Sequence, residues 1–233
     1  MKTIVKDIIS ALENLKDEER IEFARTSYPT SMKILGVIVP KEKEILKELK
    51  NKTKSFSGRE KLEIAKKLVN TNIFECQHIA FEFIGKDKKI LNELTEKDVD
   101  ELGVNLDNWV SVDCYSAYIV GYVWRVGKIS IEKIKNYLKS GDFWIRRIAI
   151  VATVSLNQKA RGGTGDPEQT LEICKLAVDD HKDMINKALS WALRELSKVD
   201  REPVIEFIEK HKNKLHARVL REVGHKLEFG TKN

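Results

Sequence analysis

The chain has 233 residues, 42% hydrophobic and 33% charged, with 42 Lys+Arg against 36 Asp+Glu and a formal charge of +6. This is long and apolar enough for a sizeable core in one domain or two, and the basic excess suits a polyanionic partner while raising the case for nucleic-acid binding only modestly. No apolar run approaches the length of a membrane span, so no membrane partner is expected, and the N-terminus carries Asp7 inside its apolar pattern with no small-residue cleavage site, so an intracellular, cytoplasmic protein is expected.

Composition favours helix: Leu, Ile, Lys, Glu and Ala dominate, and strand-like alternation is hard to find. A first amphipathic helix is predicted from about Thr3 to Leu15. A second follows Lys16, with Asp17 as its cap, and runs through IEFARTSY to a stop near Pro29. In TSMKILGVIVPKEKEI, Gly36 and Pro40 punctuate an apolar run, which predicts a short buried segment ending where Pro40 opens the helix KEKEILKELK. Ser57 precedes GREKLEIAKKLV and Asn72 precedes IFECQHIAFEFIG, two helices with usable caps. KDKKILNELTEKDVDELGVNLDN reads as two short helices joined at Thr95.

Asn108 to Trp124, NWVSVDCYSAYIVGYVW, places an aspartate and an arc of aromatics inside an apolar helical run. Trp109 and Asp113 are i and i+4, so they share a face, with Ser116 next along the stripe. A carboxylate there needs a structural partner, a cation or a task; helix capping or salt-bridging and a catalytic role stand level on this stretch alone. SIEKIKNYLKSG then ends at a glycine, and DFWIRRIAIVATVSL begins at Asp142. Four amphipathic helices follow the loop NQKARGGTGDP: EQTLEICKLAVDD, DMINKALSWALRELSK, EPVIEFIEKHKN and HARVLREVGHKLEF. The loop fails the spacings of phosphate-binding glycine motifs and follows a helix, so it reads as a flexible connection, with Asp166 capping the next helix, Pro167 in its first turn and Arg161 available to phosphate.

Helix pairs recur. Gln77, Asp113, Arg147, Lys187 and Arg218 mark comparable points about 30 to 40 residues apart, the size of a helical-hairpin repeat. The expected fold is all-α: a single domain over residues 1–233 of divergent HEAT-like repeats forming a curved α-solenoid with a concave face. On that face fall Trp109 with Asp113, then Trp144 with Arg146 and Arg147, then Lys187, Trp191 and Arg194. Three successive inner helices would each offer a Trp, and the second and third add Arg or Lys within a turn. The competing reading makes all four tryptophans, Trp124 included, ordinary core residues and Arg146 with Arg147 a solvated pair. Tyr28, ending a helix before the irregular segment, is a further candidate for the lining or an N-terminal core contact.

Cys76, Cys114 and Cys174 lie far apart and form no CxxC, and the five histidines are dispersed, so no metal or other cofactor is expected and the thiols read as buried and reduced. From the residues alone, an enzyme acting on DNA, a DNA-structure binder without catalysis and a protein-interaction scaffold all remain open.

NWVSVD at 108–113, FWIRRIAI at 143–150 and KALSWALRELSK at 187–198 resemble the AlkD-like DNA alkylation repair family of HEAT-like-repeat glycosylases. MKILGVIVP and VIEFIEKHKNKLHARVLRE extend the similarity over almost the whole chain. The resemblance implies hydrolysis of the N-glycosidic bond of cationic alkylated purines, such as N3-methyladenine and N7-methylguanine, in double-stranded DNA, by a protein able to work as a monomer. It implies Asp113 as the catalytic carboxylate, Trp109 and Trp191 flanking the lesion-bearing sugar, and Arg147 contacting the DNA backbone. Val110 departs from the acidic residue usual after the Trp109 equivalent, and the loop from Arg161 to Asp166 is longer than in the simplest members.

Overall fold

The structure is a computed structural model and describes residues 2–232; the two terminal residues of the expected domain lie outside the described residues. The elements in order are α1 (Lys2–Glu13), α2 (Glu18–Ser27), α3 (Val39–Lys52), α4 (Gly58–Val69), α5 (Phe74–Gly85), α6 (Lys88–Glu93), α7 (Glu96–Leu102) and α8 (Trp109–Tyr115). A π-helical turn, Ser116–Val120, leads into α9 (Gly121–Arg125), followed by α10 (Ile131–Leu138), α11 (Phe143–Ala152), α12 (Val154–Asn157), α13 (Pro167–Leu176), α14 (Asp183–Leu196), α15 (Glu202–His211) and α16 (Ala217–Phe229). The protein is all-α among the described residues, as its composition predicts. It divides into two compact units, Met1–Ile119 and Val120–Asn233.

The helix starts follow the capping residues. Asp17 accepts the Arg20 N–H at 3.1 Å, Asp142 the Trp144 N–H at 2.8 Å and Asp166 the Gln169 N–H at 3.0 Å. Ser57 with Glu60 and Thr95 with Asp98 complete reciprocal capping boxes. Each such side chain satisfies a backbone donor that the helix leaves open, worth about 1 kcal/mol. Asn72 differs from its predicted role: its φ is +57°, α5 starts after Ile73 with no side-chain cap, and Asn72 instead supplies a left-handed turn.

In the first unit α4 packs on α5 and α6, α5 packs on α3 and α8, and α1 packs on α3 and α4. Leu12, Leu35, Leu62, Leu68, Phe81 and Phe83 fill the interior. Residues 30–38 form the expected buried, irregular segment. It meets the head of α5 through a bridge between Lys33 and Ile73 and is held by Glu75, whose carboxylate accepts N–H groups of Leu35 (3.0 Å), Gly36 (2.8 Å) and Val37 (3.4 Å). Gly36 is obligatory there, since its φ is +75° and a Cβ would lie 2.4 Å from the carbonyl oxygen of Asp17.

In the second unit the later helix of each pair packs on its successor, α11 on α14 and α14 on α16, while α10 packs on α11 and α13, and α13 on α14 and α15. Ile148, Val151, Ile185, Leu189, Val219 and Val223 fill the space between them. The loop before α13 is fastened rather than flexible. Arg125 donates to the carbonyls of Ser155 (2.9 Å) and Arg161 (2.6 Å), the Gly165 N–H reaches the Leu156 carbonyl at 3.0 Å, and the Asp166 N–H reaches Asn157 Oδ1 at 3.0 Å.

Candidate functional site

The site in the first unit begins with a cap. Asn108 is buried, its Oδ1 accepts the Ser111 N–H at 3.0 Å and its Nδ2 donates to Ser111 Oγ at 3.1 Å, so α8 starts at Trp109. Val112 and Tyr115 point into the core, and the Tyr115 hydroxyl donates to the Val99 carbonyl at 2.8 Å. The opposite face then carries Trp109, 41% exposed, and one turn later Asp113, half-buried. Ser116 does not extend this stripe. It is buried, donates to the Val112 carbonyl at 2.6 Å and opens the π-helical turn, a departure from α geometry that recurs at functional positions.

Long-range bonds fix the orientation of Trp109. Its indole N–H donates to the Ser27 carbonyl at 3.2 Å, at the end of α2. Two residues earlier, Asp107 accepts the Thr30 hydroxyl at 2.5 Å and the Ser31 N–H at 2.6 Å, and these bonds hold its carboxyl below the usual carboxylate range against the opposing pull of burial. Tyr28 lies between these anchors. Its ring stacks on Phe74 with centroids 4.9 Å apart and meets Trp109 edge-on at 6.4 Å. Tyr28 is thus a core contact of the first unit, and burial raises its pKa.

Val110 packs with Tyr28 against the cluster of Ile21, Ala24, Met32, Ile34 and Phe74. A carboxylate at 110 would enter that apolar cluster at a desolvation cost, which explains the departure from the acidic residue of the resemblance.

Beside Trp109 opens a cavity of about 540 Å3, also lined by Tyr28, Phe74, Glu42 and His78. His78 Nδ1 lies 2.5 Å from Glu42 Oε2. Burial alone would lower the His78 pKa, but the Cys114 side chain and Glu42 outweigh it and raise the value to about 10, which favours the protonated ring. His78 and Glu42 are 36 residues apart, so no local spacing points to this pair. Cys76 and Cys174 are buried as expected, and burial pushes both thiols up to about 12, whereas Cys114 is only half-buried.

The second unit holds the other predicted residues. Lys187, Trp191 and Arg194 follow one another at i, i+4 and i+7 on α14, so they form one stripe. Trp191 is half-buried. Lys187 pairs with Asp183 at 2.8 Å and remains 40% exposed, whereas Arg194, 16% exposed, donates to Ser190 Oγ at 3.2 Å and lies 3.9 Å from Glu222. Trp144 on α11 is half-buried against Phe143, ring centroids 4.6 Å apart.

Arg146 and Arg147 are not a solvated pair. Arg146 bonds Asp180 at 2.7 Å and the carbonyls of Ser140 and Gly141, and Arg147 is buried and donates to the Met184 carbonyl. Arg161 turns back to Gln158. A phosphate reaching Arg146 or Arg194 therefore shares the guanidinium with an internal partner. Of the four tryptophans, Trp124 fits the core reading, since it is buried with its N–H on Gln169 at 3.0 Å; Trp109 does not fit it.

Among the described residues no group of three His, Cys, Asp or Glu side chains gathers to hold a metal ion, and no helix is long and apolar enough to cross a membrane. None of the curated proteins compared matches the chain. The sequence profile of the DNA alkylation repair enzyme family matches residues 8–227. The match spans nearly the whole chain, including α8 with Asp113 and α14 with Trp191, and the protein belongs to the DNA alkylation repair enzyme family, and with it to the enzymes of DNA repair.

Proposed function

We propose that the protein is an alkylpurine DNA glycosylase. On HEAT-like helical repeats, working as a monomer on double-stranded DNA inside the cell, it hydrolyses the N-glycosidic bond of cationic N3- or N7-alkylated purines. The observation that carries this reading is the face of α8, where the anchored, water-exposed indole of Trp109 stands one turn from the half-buried carboxylate of Asp113.

The chemistry suits those groups. A purine alkylated at N3 or N7 already carries positive charge and leaves as a neutral base without a general acid, while the deoxyribose develops oxocarbenium character. Asp113 stabilises that growing cation. At about 4 Å and an effective dielectric of about 20 the Coulomb attraction is roughly 4 kcal/mol as an upper guide, and about 3 to 4 kcal/mol corresponds to a rate factor on the order of 10² to 10³. Trp109 and Trp191 add cation–π attraction of roughly 0.5 to 2 kcal/mol each, and Asp113 also orients the attacking water. Lys187, with Arg146, Arg194 and Arg161, attracts the phosphates, Arg147 adds positive charge from its buried position on the Met184 carbonyl, and Trp144 and Tyr28 contribute to the DNA-facing surface. An unmodified purine would leave as an anion, so the reaction is restricted to charged lesions.

The test is incubation of purified protein with methylated duplex DNA and chromatographic measurement of released methylpurines. Release well above the spontaneous rate is expected. Salt-sensitive DNA binding without release would replace the glycosylase by a DNA-structure binder.

A further inference from the structure

In the second unit a carboxylate with no part in the chemistry above lies behind the stripe of α14. Glu222, on α16, is buried where that helix packs on α14. Its Oε2 accepts the Ser190 hydroxyl at 2.5 Å, and its Oε1 lies 3.6 Å from Lys232 Nζ. Burial opposes the charge of Glu222, but the Ser190 bond, with Lys232, Arg194 and Arg218 nearby, outweighs it and holds the carboxyl below its ordinary range.

The hydrogen bonds here have one direction. An ionised carboxylate only accepts, so the single hydroxyl proton of Ser190 points at Glu222 and a lone pair of Ser190 Oγ is left facing away from it. Arg194, one turn on along α14, donates to that oxygen through Nε at 3.2 Å. This is the one hydrogen bond of Arg194 among the described residues, since its Nη2 lies 3.9 Å from Glu222 Oε2, an ion pair beyond hydrogen-bond reach. The guanidinium is rigid and planar, so holding Nε fixes its plane and leaves both Nη groups for the paired bonds that arginine makes with phosphate oxygens. Arg194 stands three residues after Trp191, so the fixed fork lies on the same stripe as the indole.

We propose that Glu222 is a positioning residue for DNA binding: through the Ser190 hydroxyl it orients Arg194 so that both Nη groups meet one backbone phosphate beside Trp191. The inference rests on the DNA-binding part of the glycosylase reading and adds the two residues that set the angle of the arginine. Charge alone gives the opposite sign. Glu222 is an anion behind a DNA-facing stripe, so by net charge its removal strengthens binding, whereas by positioning its removal weakens it.

Fluorescence-anisotropy titration of the full chain with methylated duplex DNA at a series of salt concentrations tests it. Glu222→Leu, which removes both the charge and the acceptor, should weaken binding about fivefold and lower the salt slope by about one, the value of a single phosphate contact. Arg194→Ala should do the same, and the double variant should be no weaker than Arg194→Ala alone. Glu222→Gln keeps an acceptor for Ser190 and should recover most of the loss. Ser190→Ala breaks the relay without touching Glu222 and should weaken binding about threefold. It carries the test if circular dichroism shows Glu222→Leu unfolded. Asp183→Asn removes the same charge from the first turn of α14, where Asp183 pairs with Lys187 at 2.8 Å, and should leave affinity unchanged or tighter. Binding by folded Glu222→Leu or by Ser190→Ala as tight as that of the wild type, losses that add in the double variant, or an equal loss in Asp183→Asn overturns the positioning role and leaves DNA binding in place. Absence of salt-sensitive binding by the wild type removes the DNA-binding reading and the positioning role with it.

Discussion

Trp109 and Ser27, 82 residues apart in sequence, are joined by a 3.2 Å hydrogen bond from the indole N–H to the backbone carbonyl. The bond turns a half-exposed aromatic at the start of α8 into a fixed wall. Trp109→Phe keeps an aromatic face and loses the bond, which is worth about 1 kcal/mol. Single-turnover excision should fall roughly tenfold, as about 1.4 kcal/mol of barrier corresponds to one decade. Urea unfolding should shift little.

Asp113→Asn removes charge and almost no volume. Excision of methylpurines should drop by a factor on the order of 10² to 10³, while the Kd for duplex DNA changes less than about threefold. Normal excision by this variant would remove Asp113 from the mechanism.

Asp107 acts on the site through position. Its carboxylate joins the Thr30 hydroxyl and the Ser31 N–H to the residue pair ahead of Trp109. Asp107→Ala breaks charge-assisted bonds worth about 1.5–3 kcal/mol and should lower stability by about that amount in urea unfolding. The turnover rate should fall more than DNA affinity does. Asp107→Asn, which retains one acceptor oxygen, should recover part of both losses.

The His78–Glu42 pair gives a pH signature of known sign. The His78 pKa is raised in the folded protein to about 10 from the ordinary 6.5, burial being outweighed by the Cys114 and Glu42 side chains. Its stabilisation is complete below the unfolded value and is lost as pH climbs through the folded one. The urea midpoint of the wild type should therefore fall from pH 6.5 toward pH 10 more steeply than that of His78→Gln. Parallel profiles for the two proteins would show that the pair contributes nothing.

Chain-local chemistry was readable from the sequence. Asp17, Ser57, Thr95, Asp142 and Asp166 cap the helices they precede, because an N-cap acts within three residues of itself. The shared face of Trp109 and Asp113 follows from helical spacing in the same way. Asn72 misled because a capping side chain and a left-handed turn attract the same residue type, and only the bridge from Lys33 to the head of α5 selects the turn. The partners of Glu75, His78 and Asp107 lie 36 to 77 residues away, where no periodicity connects them. Arg146 likewise gave no sign that Asp180, 34 residues on, would occupy it.

Glu75 binds the backbone of residues 35–37 and none of their side chains. Its grip is therefore indifferent to which apolar residues stand at Leu35 and Val37, yet intolerant of any added or missing residue between Asp17 and the clamp, with Gly36 as the one identity it imposes. Related chains should diverge freely in letters along this segment while conserving its length. A sequence comparison weighted toward identity would undervalue the segment that seats Tyr28 and the wall beside Trp109.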